Sequence, residues 1–405
     1  MPVQQLEGSR AVAEAVALCR PEVVCAYPIS PQTHIIEAVG AMVKSGRLTP
    51  CEFVNVESEF AAMSVSIGAS ATGARAYTAT ASQGLLFMAE AVFNAAGLGL
   101  PIVMTVANRA VGAPINIWND HSDSMALRDA GWVQLFAETN QAAVDLHLLA
   151  FRLAEELSVP VMVCMDGFIL THAFEPVELP TQEQVDWFLP RYVPRQELDP
   201  EAPITIGAMV GPEAFEEVRY LAHLRLLRAL TRVPELASEF ETMFGRPLGA
   251  RPGSAVGGSL VTSYRTEGAT TVVVALGSVL GTVKDAVDEL RTEGHPIGVV
   301  GLTTYRPFPA EALHGAVEGA HRVVVVEKAF GTGGRGFVTD DVAIALRDHD
   351  VAVHTIVAGL GGRPISEESL RRVLATAITG DLPAMSFLDL DMGAVTAETR
   401  AVRPL

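Results

Sequence analysis

The sequence predicts an α/β fold built on parallel β-sheets. Short apolar segments alternate with helical patterns over residues 1 to about 175, and the same alternation begins again near residue 271. This β–α–β rhythm is typical of a parallel sheet whose two faces are covered by helices. The chain has 405 residues, which is too long for one typical domain, so we expect two or three.

The first unit supplies five predicted strands and the helices between them. The strands, in chain order, are Val23–Ala26, Phe53–Val56, Ala76–Ala81, Ile102–Ala107 and Val159–Met165. A helix is predicted over Gln141–Leu157. Several prolines follow from Pro176, and then a charged, leucine-rich helical stretch runs over 212–244. We interpret that stretch as an extension that wraps the first domain or as an arm that faces a partner.

A linker and a second unit follow. Residues 245–270 are rich in Gly, Pro, Ser and Arg, so we predict that they connect two domains spanning residues 1–244 and 271–405. The strands predicted in the second unit are Thr271–Leu276, Ile297–Gly301, Arg322–Val326 and Val351–Val357. Helices are predicted over Thr282–Glu293 and Ala310–Val317.

Composition excludes several classes of protein. The formal net charge is −18, from 47 acidic and 29 basic residues, and no basic cluster is present, so nucleic acid is not an expected partner. The most apolar stretch, residues 98–115, is interrupted by Pro101, Asn108, Arg109 and Pro114, which excludes an ordinary membrane span there. The amino terminus shows no secretory pattern.

The cysteines do not form a metal-binding pattern. Cys19, Cys25, Cys51 and Cys164 include no CxxC pair, and no histidine lies beside them at ligand spacing. We therefore expect no iron–sulfur cluster or structural zinc held by this chain. Reduced, mostly buried thiols in a cytoplasmic protein are the expected state.

The segment Tyr27–Thr33, with sequence YPISPQT, follows the first predicted strand. Two prolines in it fix the backbone and prevent the strand from running directly into a helix. Open α/β sheets bind ligands at the carboxyl ends of their strands, and this segment places the hydroxyl of Ser30 at such an end. A purely structural turn explains the same pattern equally well.

Glu59 begins an apolar helix rich in small residues. A carboxylate there can interact with the positive end of the helix dipole. It can also be a partly buried acid with a raised pKa, able to exchange a proton with a ligand nitrogen. The pattern alone favours the dipole role.

Two further strand ends carry polar groups. Thr78–Gly84 ends its strand with hydroxyls and a glycine, which suits a cradle for a polar ligand or only a tight turn. Arg109 follows the strand Ile102–Ala107, where it can make a bidentate contact with a carboxylate or form an internal salt bridge.

Two other motifs have weak predictive value. The polar loop Asn116–Asp123 contains Asp, His and Trp, but this is a common loop composition and we do not expect a metal there. Gly331–Gly336 matches GxGxxG, yet the next strand ends at Ala358-Gly359 without an acidic residue, so we exclude NAD binding. These glycines are expected to allow a tight turn or a close contact between domains.

Taken together and in this order, the motifs resemble the alpha subunit of the 2-oxoacid:ferredoxin oxidoreductases, most closely the multi-subunit pyruvate type. The likeness covers essentially the whole chain, and the motifs that carry it are residues 27–33, 56–84, 108–125, 165–172 and 301–309. The resemblance implies a thiamine-diphosphate-binding domain of the pyrimidine type and a smaller α/β domain like the carboxyl-terminal domain of transketolase.

The resemblance also implies cofactors and partners. Family members share thiamine diphosphate between this subunit and a beta subunit that carries the diphosphate-binding domain with its Gly-Asp-Gly motif and Mg²⁺. This sequence has no such motif, since Gly380-Asp381-Leu382 does not match it. Mg²⁺ and [4Fe–4S] clusters are therefore expected on partner chains, which include gamma and ferredoxin-like delta subunits. No resident metal is expected on this chain.

The implied reaction is oxidative decarboxylation of a 2-oxo acid, most simply pyruvate. Coenzyme A takes the acyl group, and electrons pass through iron–sulfur clusters to ferredoxin or another acceptor. By resemblance, Glu59 contacts the aminopyrimidine ring, Arg109 pairs with the substrate carboxylate, and Ser30 replaces the usual threonine of the substrate loop. Tyr27, Pro28 and Ile29 are implied cofactor contacts.

Two departures leave the substrate open. Ser30 lacks the methyl group of threonine, and Asn119 stands where the pyruvate-type loop usually has glycine. A branched, aromatic or other 2-oxo acid with a different electron acceptor remains an alternative. A non-catalytic assembly subunit is a second alternative, against which the presence of Glu59, Arg109 and Ser30 argues.

Overall fold

The computed structural model describes residues 3–401. The strands of this part of the chain are β1 Val3–Glu7, β2 Val23–Ala26, β3 Glu52–Asn55, β4 Ala76–Thr80, β5 Val103–Asn108, β6 Val133–Phe136, β7 Val161–Asp166, β8 Phe174–Glu178, β9 Val261–Tyr264, β10 Thr271–Ala275, β11 Ile297–Leu302, β12 Thr304–Arg306, β13 Arg322–Glu327, β14 Ala352–Val357 and β15 Met385–Phe387.

The helices alternate with these strands over most of the chain. They are α1 Gly8–Leu18, α2 Thr33–Lys44, α3 Glu59–Ala71, α4 Ser82–Phe87, α5 Ala89–Leu98, α6 Ser122–Ala126, α7 Asn140–Leu157, α8 Gln182–Phe188, α9 Phe215–Leu227, α10 Ala229–Phe244, α11 Val279–Thr292, α12 Ala310–Ala316, α13 Phe337–Ala345, α14 Glu367–Thr379 and α15 Met392–Ala401, with a 3₁₀ turn at Leu360–Gly362. None of the helices within 3–401 is long and apolar enough to cross a membrane.

A seven-stranded sheet forms the centre of the first unit, in the order β12-β6-β7-β5-β4-β2-β3. All neighbours are parallel except β12, which pairs antiparallel with β6. Every residue of β4, β5, β6 and β7 is buried, which explains their continuous apolar sequences. The predicted parallel α/β class is confirmed. The sequence analysis missed β6 and did not predict that β12, from the second half of the chain, would extend this sheet.

The second unit is a six-stranded sheet in the order β15-β14-β13-β10-β11-β9. Strand β9 lies within residues 245–270, which the composition had assigned to a linker, and it pairs antiparallel with β11. The segment therefore contributes to the sheet as well as connecting the two units. The sequence missed this strand because its glycine-rich and proline-rich surroundings resemble a loop.

The predicted helical stretch of residues 212–244 consists of two helices. Helix α10 buries Ala229, Val233, Leu236, Phe240 and Phe244 and packs on α7 and α8, whereas α9 buries none of its residues. The last part of the extension therefore wraps the first unit.

The two sheets share one hydrophobic core cluster. It joins Val106 and Met162 of the first sheet to Val274 and Val325 of the second, with the fully buried Trp132 beside them. Because these side chains interdigitate, the second unit is fixed against the first. This contact places loops of the second unit over the carboxyl edge of the seven-stranded sheet.

The GxGxxG segment forms a tight turn, as predicted. Gly334 N–H donates to the carbonyl of Gly331. A Cβ at Gly336 would lie only 1.7 Å from Glu327 Oε1, so glycine is required at that position. Glu327 accepts hydrogen bonds from the backbone N–H groups of Val338 and Thr339 at the start of α13. Burial raises the pKa of Glu327 to about 7, against the lowering effect of these donors.

All four cysteines of the chain are free, as predicted.

Candidate active site

The predicted site residues meet at the carboxyl edge of the seven-stranded sheet. Strands β2, β4, β5 and β7 run parallel, so their carboxyl ends lie side by side. The segment Tyr27–Thr33 follows β2, Ser82 follows β4, Arg109 follows β5 and Gly167 follows β7. Hydrogen bonds and close packing join these four positions.

Arg109 is held by two backbone carbonyls. Its Nη1 donates to Ser30 O at 2.9 Å, and its Nε donates to Asn116 O at 3.1 Å. A guanidinium has five N–H groups, so three remain for a ligand. Within residues 3–401 it forms no ion pair with a carboxylate, which excludes the internal salt bridge considered from the sequence. Partial burial lowers its pKa, and the nearby Asp123 opposes that effect.

The segment after β2 is tied down by Gln32. This buried side chain donates from Nε2 to Tyr27 O at 2.8 Å and to Ala79 O at 3.1 Å. A Cβ at Gly167 would lie 2.5 Å from Pro31 Cγ, so the glycine allows the segment to pack close to the end of β7.

The remaining predicted residues of this segment face outward to different degrees. Tyr27 is 39% exposed, Pro28 and Ser30 are exposed, and Ile29 is half-buried. The Ser30 hydroxyl has no hydrogen-bond partner in the described chain. These side chains are therefore available to a ligand or a partner surface.

Glu59 is the first residue of α3 and is only 7% exposed. The preceding Ser58 caps the helix, since its side chain accepts the N–H of Ala61 at 3.2 Å. No hydrogen bond or ion pair of the Glu59 carboxylate occurs among residues 3–401. A Cβ at Gly84 would lie 2.5 Å from Glu59 Oε1 and 2.7 Å from Thr80 Oγ1, so Gly84 leaves the carboxylate uncovered.

Thr80 adds a second unpartnered polar group at this point. Its Oγ1 is buried and forms no hydrogen bond within the described chain. Buried polar groups normally have partners. An uncovered carboxylate beside an unpartnered hydroxyl fits a polar ligand that bears N–H groups. Thr80 lies in the segment Thr78–Gly84, for which a ligand cradle remains a prediction.

Asp123 connects the ends of β4 and β5. It is fully buried and accepts hydrogen bonds from Ser82 N at 2.9 Å, Arg109 N at 3.0 Å and Asn108 Nδ2 at 2.8 Å. Burial raises its pKa, although these donors oppose the effect. Its role is to position the backbone next to Arg109, and sequence reasoning had placed it only in a polar loop.

The loop Asn116–Asp123 is clamped by the second unit. Asp166, at the end of β7, lies 2.7 Å from His121 Nε2 and accepts a hydrogen bond from Lys328 Nζ at 2.8 Å. Burial would raise the pKa of Asp166, but Lys328 and His121 together hold it well below its usual range. Lys328 Nζ also donates to Asn119 Oδ1 at 2.6 Å. Asn119 and His121 of the loop thus take part in this clamp, which no sequence pattern predicted because its members are far apart in the chain.

Comparison with known families identifies the chain. Residues 14–237 match the family described as pyruvate flavodoxin/ferredoxin oxidoreductase, thiamine diphosphate-binding, and residues 269–370 match pyruvate:ferredoxin oxidoreductase core domain II. The chain belongs to this family. The predicted resemblance is therefore confirmed.

Curated relatives match over nearly their whole length. Pyruvate synthase subunit PorA of Methanosarcina barkeri is 47% identical over 95% of this chain and 96% of its own. The PorA subunit of Thermotoga maritima is 45% identical over 93% and 95%. Ketoisovalerate oxidoreductase subunit VorA of Pyrococcus abyssi is 39% identical over 92% and 93%.

Solved structures share the fold at low identity. A 2-oxoglutarate:ferredoxin oxidoreductase from Magnetococcus marinus matches with a TM-score of 0.71 at 18% identity, over 93% of this chain and 65% of that chain. A split-gene transketolase matches with a TM-score of 0.52 at 15% identity, over 91% of this chain and 98% of its own. Both likenesses support the expected α/β fold, and the thiamine-diphosphate-binding description comes from the family matched by residues 14–237.

Proposed function

We propose that this chain provides the pyrimidine-binding half of the active site in a thiamine-diphosphate-dependent pyruvate:ferredoxin oxidoreductase. The observation that carries the proposal is the buried, unpartnered carboxylate of Glu59 beside the bare Gly84. A nitrogen-rich ring fits this site because Glu59 accepts an N–H and the unpartnered Thr80 Oγ1 offers a second polar contact.

Glu59 is proposed to hold and return a proton at a nitrogen of the cofactor's aminopyrimidine ring. A carboxylate suits this role when burial keeps it away from competing water and no other cation neutralises it. When bound, thiamine diphosphate supplies the carbanion chemistry that removes carbon dioxide from a 2-oxo acid. Tyr27, Pro28 and Ile29 are proposed to contact the cofactor from the segment after β2.

Arg109 is proposed to bind the substrate carboxylate. The two backbone carbonyls fix the guanidinium and leave three N–H groups free. The carbonyl of Ser30 holds Arg109, and the exposed hydroxyl of the same residue can donate to the substrate. Because Asn116 O also accepts from Arg109 Nε and Asp123 accepts the backbone N–H of Arg109, the site orients the substrate before reaction.

The complete reaction needs partner subunits. The relatives are named as subunits of pyruvate synthase, and this sequence contains no Gly-Asp-Gly motif and no cluster-binding cysteine pattern. We therefore assign Mg²⁺ and the diphosphate group to a beta subunit, and the [4Fe–4S] clusters to beta, gamma or delta subunits. Electrons pass to ferredoxin, coenzyme A takes the acetyl group, and the complex is assigned to the cytoplasm.

The substrate assignment has one specific competitor. The VorA relative, which its name links to ketoisovalerate, is 39% identical to this chain. Ser30 leaves more room than threonine, which would suit a branched acid. Higher identity to the pyruvate synthase subunits favours pyruvate.

The test is anaerobic reconstitution with the partner subunits and a panel of 2-oxo acids, each with and without coenzyme A, followed by viologen reduction. Glu59→Gln keeps the side-chain volume but cannot ionise, so kcat is expected to fall by about 10²–10⁴-fold. Glu57→Gln, an exposed acid two residues away, is the matched control and should keep full activity. Unchanged turnover of Glu59→Gln would overturn the catalytic assignment and favour an assembly role.

A further inference from the structure

A second cluster of ligand-type side chains lies outside the proposed active site. Glu7 at the end of β1, His34 in the first turn of α2 and His172 after β7 come from distant parts of the chain. One ligand atom from each lies within 4.8 Å of the others. No spacing in the sequence links these three residues, and the cysteine pattern and the family resemblance predict no resident metal on this chain.

We propose that Glu7, His34 and His172 form a binding site for a divalent transition metal ion with the preferences of Zn²⁺. Two imidazoles and one carboxylate are a preferred ligand set for that ion. His34 Nδ1 already lies 2.8 Å from Glu7 Oε1. Two ligands about 2.1 Å from one ion lie at most ~4.2 Å apart, so a small movement of the exposed His34 side chain completes the site.

The surroundings of His172 are those of an oriented metal ligand. Its Nδ1 lies 2.7 Å from Thr171 Oγ1, which also accepts the Phe168 N–H at 2.7 Å; in the tautomer that carries its proton on Nδ1, Nε2 has a free lone pair. Such an oxygen partner on the second nitrogen is usual for metal-binding histidines. The His172 ring also packs between Phe168, at a centroid distance of 4.7 Å, and His34, at 4.8 Å.

Charge and access also suit an ion. Glu7 supplies a carboxylate, an anionic oxygen ligand that attracts a cation. The side chains of His34 and Glu7 are 51% and 24% exposed, so the site is open to solvent. An ion can enter, and water can occupy the remaining coordination position.

The ion would connect three elements near the proposed active site. Helix α2 begins at the end of the segment that contains Ser30, and His172 lies in the turn that follows β7. Phe168, which packs on His172, also packs on Trp118 at a centroid distance of 4.8 Å. Metal binding would therefore brace the outer side of the loops that position Arg109.

Cobalt titration of the untagged full chain tests the proposal, because Co²⁺ replaces Zn²⁺ in such sites and absorbs visible light. The expected result is a saturable band at one equivalent that Zn²⁺ abolishes. His34→Gln and His172→Gln each remove a ligand and should weaken Co²⁺ binding by at least about 10–100-fold, the loss typical of removing a partner of a metal ligand. Glu7→Gln provides a third test at a half-exposed position where loss of folding is not expected.

His314→Gln is the matched control. His314 and His349 form another histidine pair, with a ring distance of 4.6 Å, that lies outside this cluster. His314→Gln should bind Co²⁺ like the wild type. Zn²⁺ should raise the melting temperature of the wild type and of His314→Gln, but not that of His172→Gln. The proposal would be overturned if the band were absent from the wild type or persisted in both His34→Gln and His172→Gln. Sulfur-to-cobalt charge-transfer absorption would also overturn it, because it would indicate a cysteine ligand.

Discussion

Replacing Arg109 with methionine tests the substrate-binding half of the site directly. The change removes the charge and the three N–H groups that remain after Ser30 O and Asn116 O have accepted theirs. Each hydrogen bond to a charged group contributes about 1.5–3 kcal/mol. If a substrate carboxylate accepts two such hydrogen bonds and their contributions partly overlap, Arg109→Met should raise the activation free energy by about 2–4 kcal/mol. That corresponds to a fall of about 30–1000-fold in kcat/KM.

The structure also predicts that this variant folds. Arg109 forms no ion pair with a carboxylate in the described chain, so its removal leaves no buried acid without a partner. Its melting temperature should therefore stay close to that of the wild type. Arg20→Met, which breaks an exposed ion pair with Asp186, is the matched control and should leave kcat/KM within about threefold.

The assay is viologen reduction by the reconstituted complex across a range of pyruvate concentrations with saturating coenzyme A. Arg109→Lys keeps the positive charge but loses the planar fork, so its kcat/KM should lie between the wild type and Arg109→Met. A normal kcat/KM in a folded Arg109→Met complex would refute the assignment of the substrate carboxylate to this arginine.

Two further predictions concern stability. The pKa of Glu327 is raised from 4.5 to about 7, so its contribution to stability is complete below pH 4.5 and is lost as the pH rises through 7. In urea titrations, the unfolding free energy of the wild type minus that of Glu327→Gln should fall by about 3 kcal/mol between pH 4.5 and 8. If this difference were constant with pH, the buried-acid explanation would be wrong. Lys328→Met leaves Asp166 without its ammonium partner and should lower the unfolding free energy by about 3–5 kcal/mol, whereas the exposed Lys44→Met should have little effect. Equal urea midpoints for the two lysine variants would exclude a structural role for the clamp.

The sequence by itself determined the fold class and most strands of both sheets. Buried parallel strands are short and continuously apolar, so β2 was predicted at its observed bounds and β10 within one residue. The turn role of Gly331–Gly336 also followed from sequence, because glycine allows backbone approaches that other residues prevent. Ordered motifs identified the family, and the predicted roles of Glu59, Arg109 and Ser30 rest on that resemblance.

The tertiary structure decided which residues lie together. Strand β12 joins the first sheet from more than 160 positions away, since Thr304 pairs with Leu135, and no local pattern encodes such a pairing. The Asp166–His121–Lys328 clamp and the Glu7–His34–His172 cluster depend on the same long-range packing. Sequence periodicity reports which face of an element is buried, but not which distant side chain lies against it. That information comes only from the tertiary packing, which holds Arg109 against Ser30 O and Asn116 O and leaves the Glu59 carboxylate without a partner among residues 3–401.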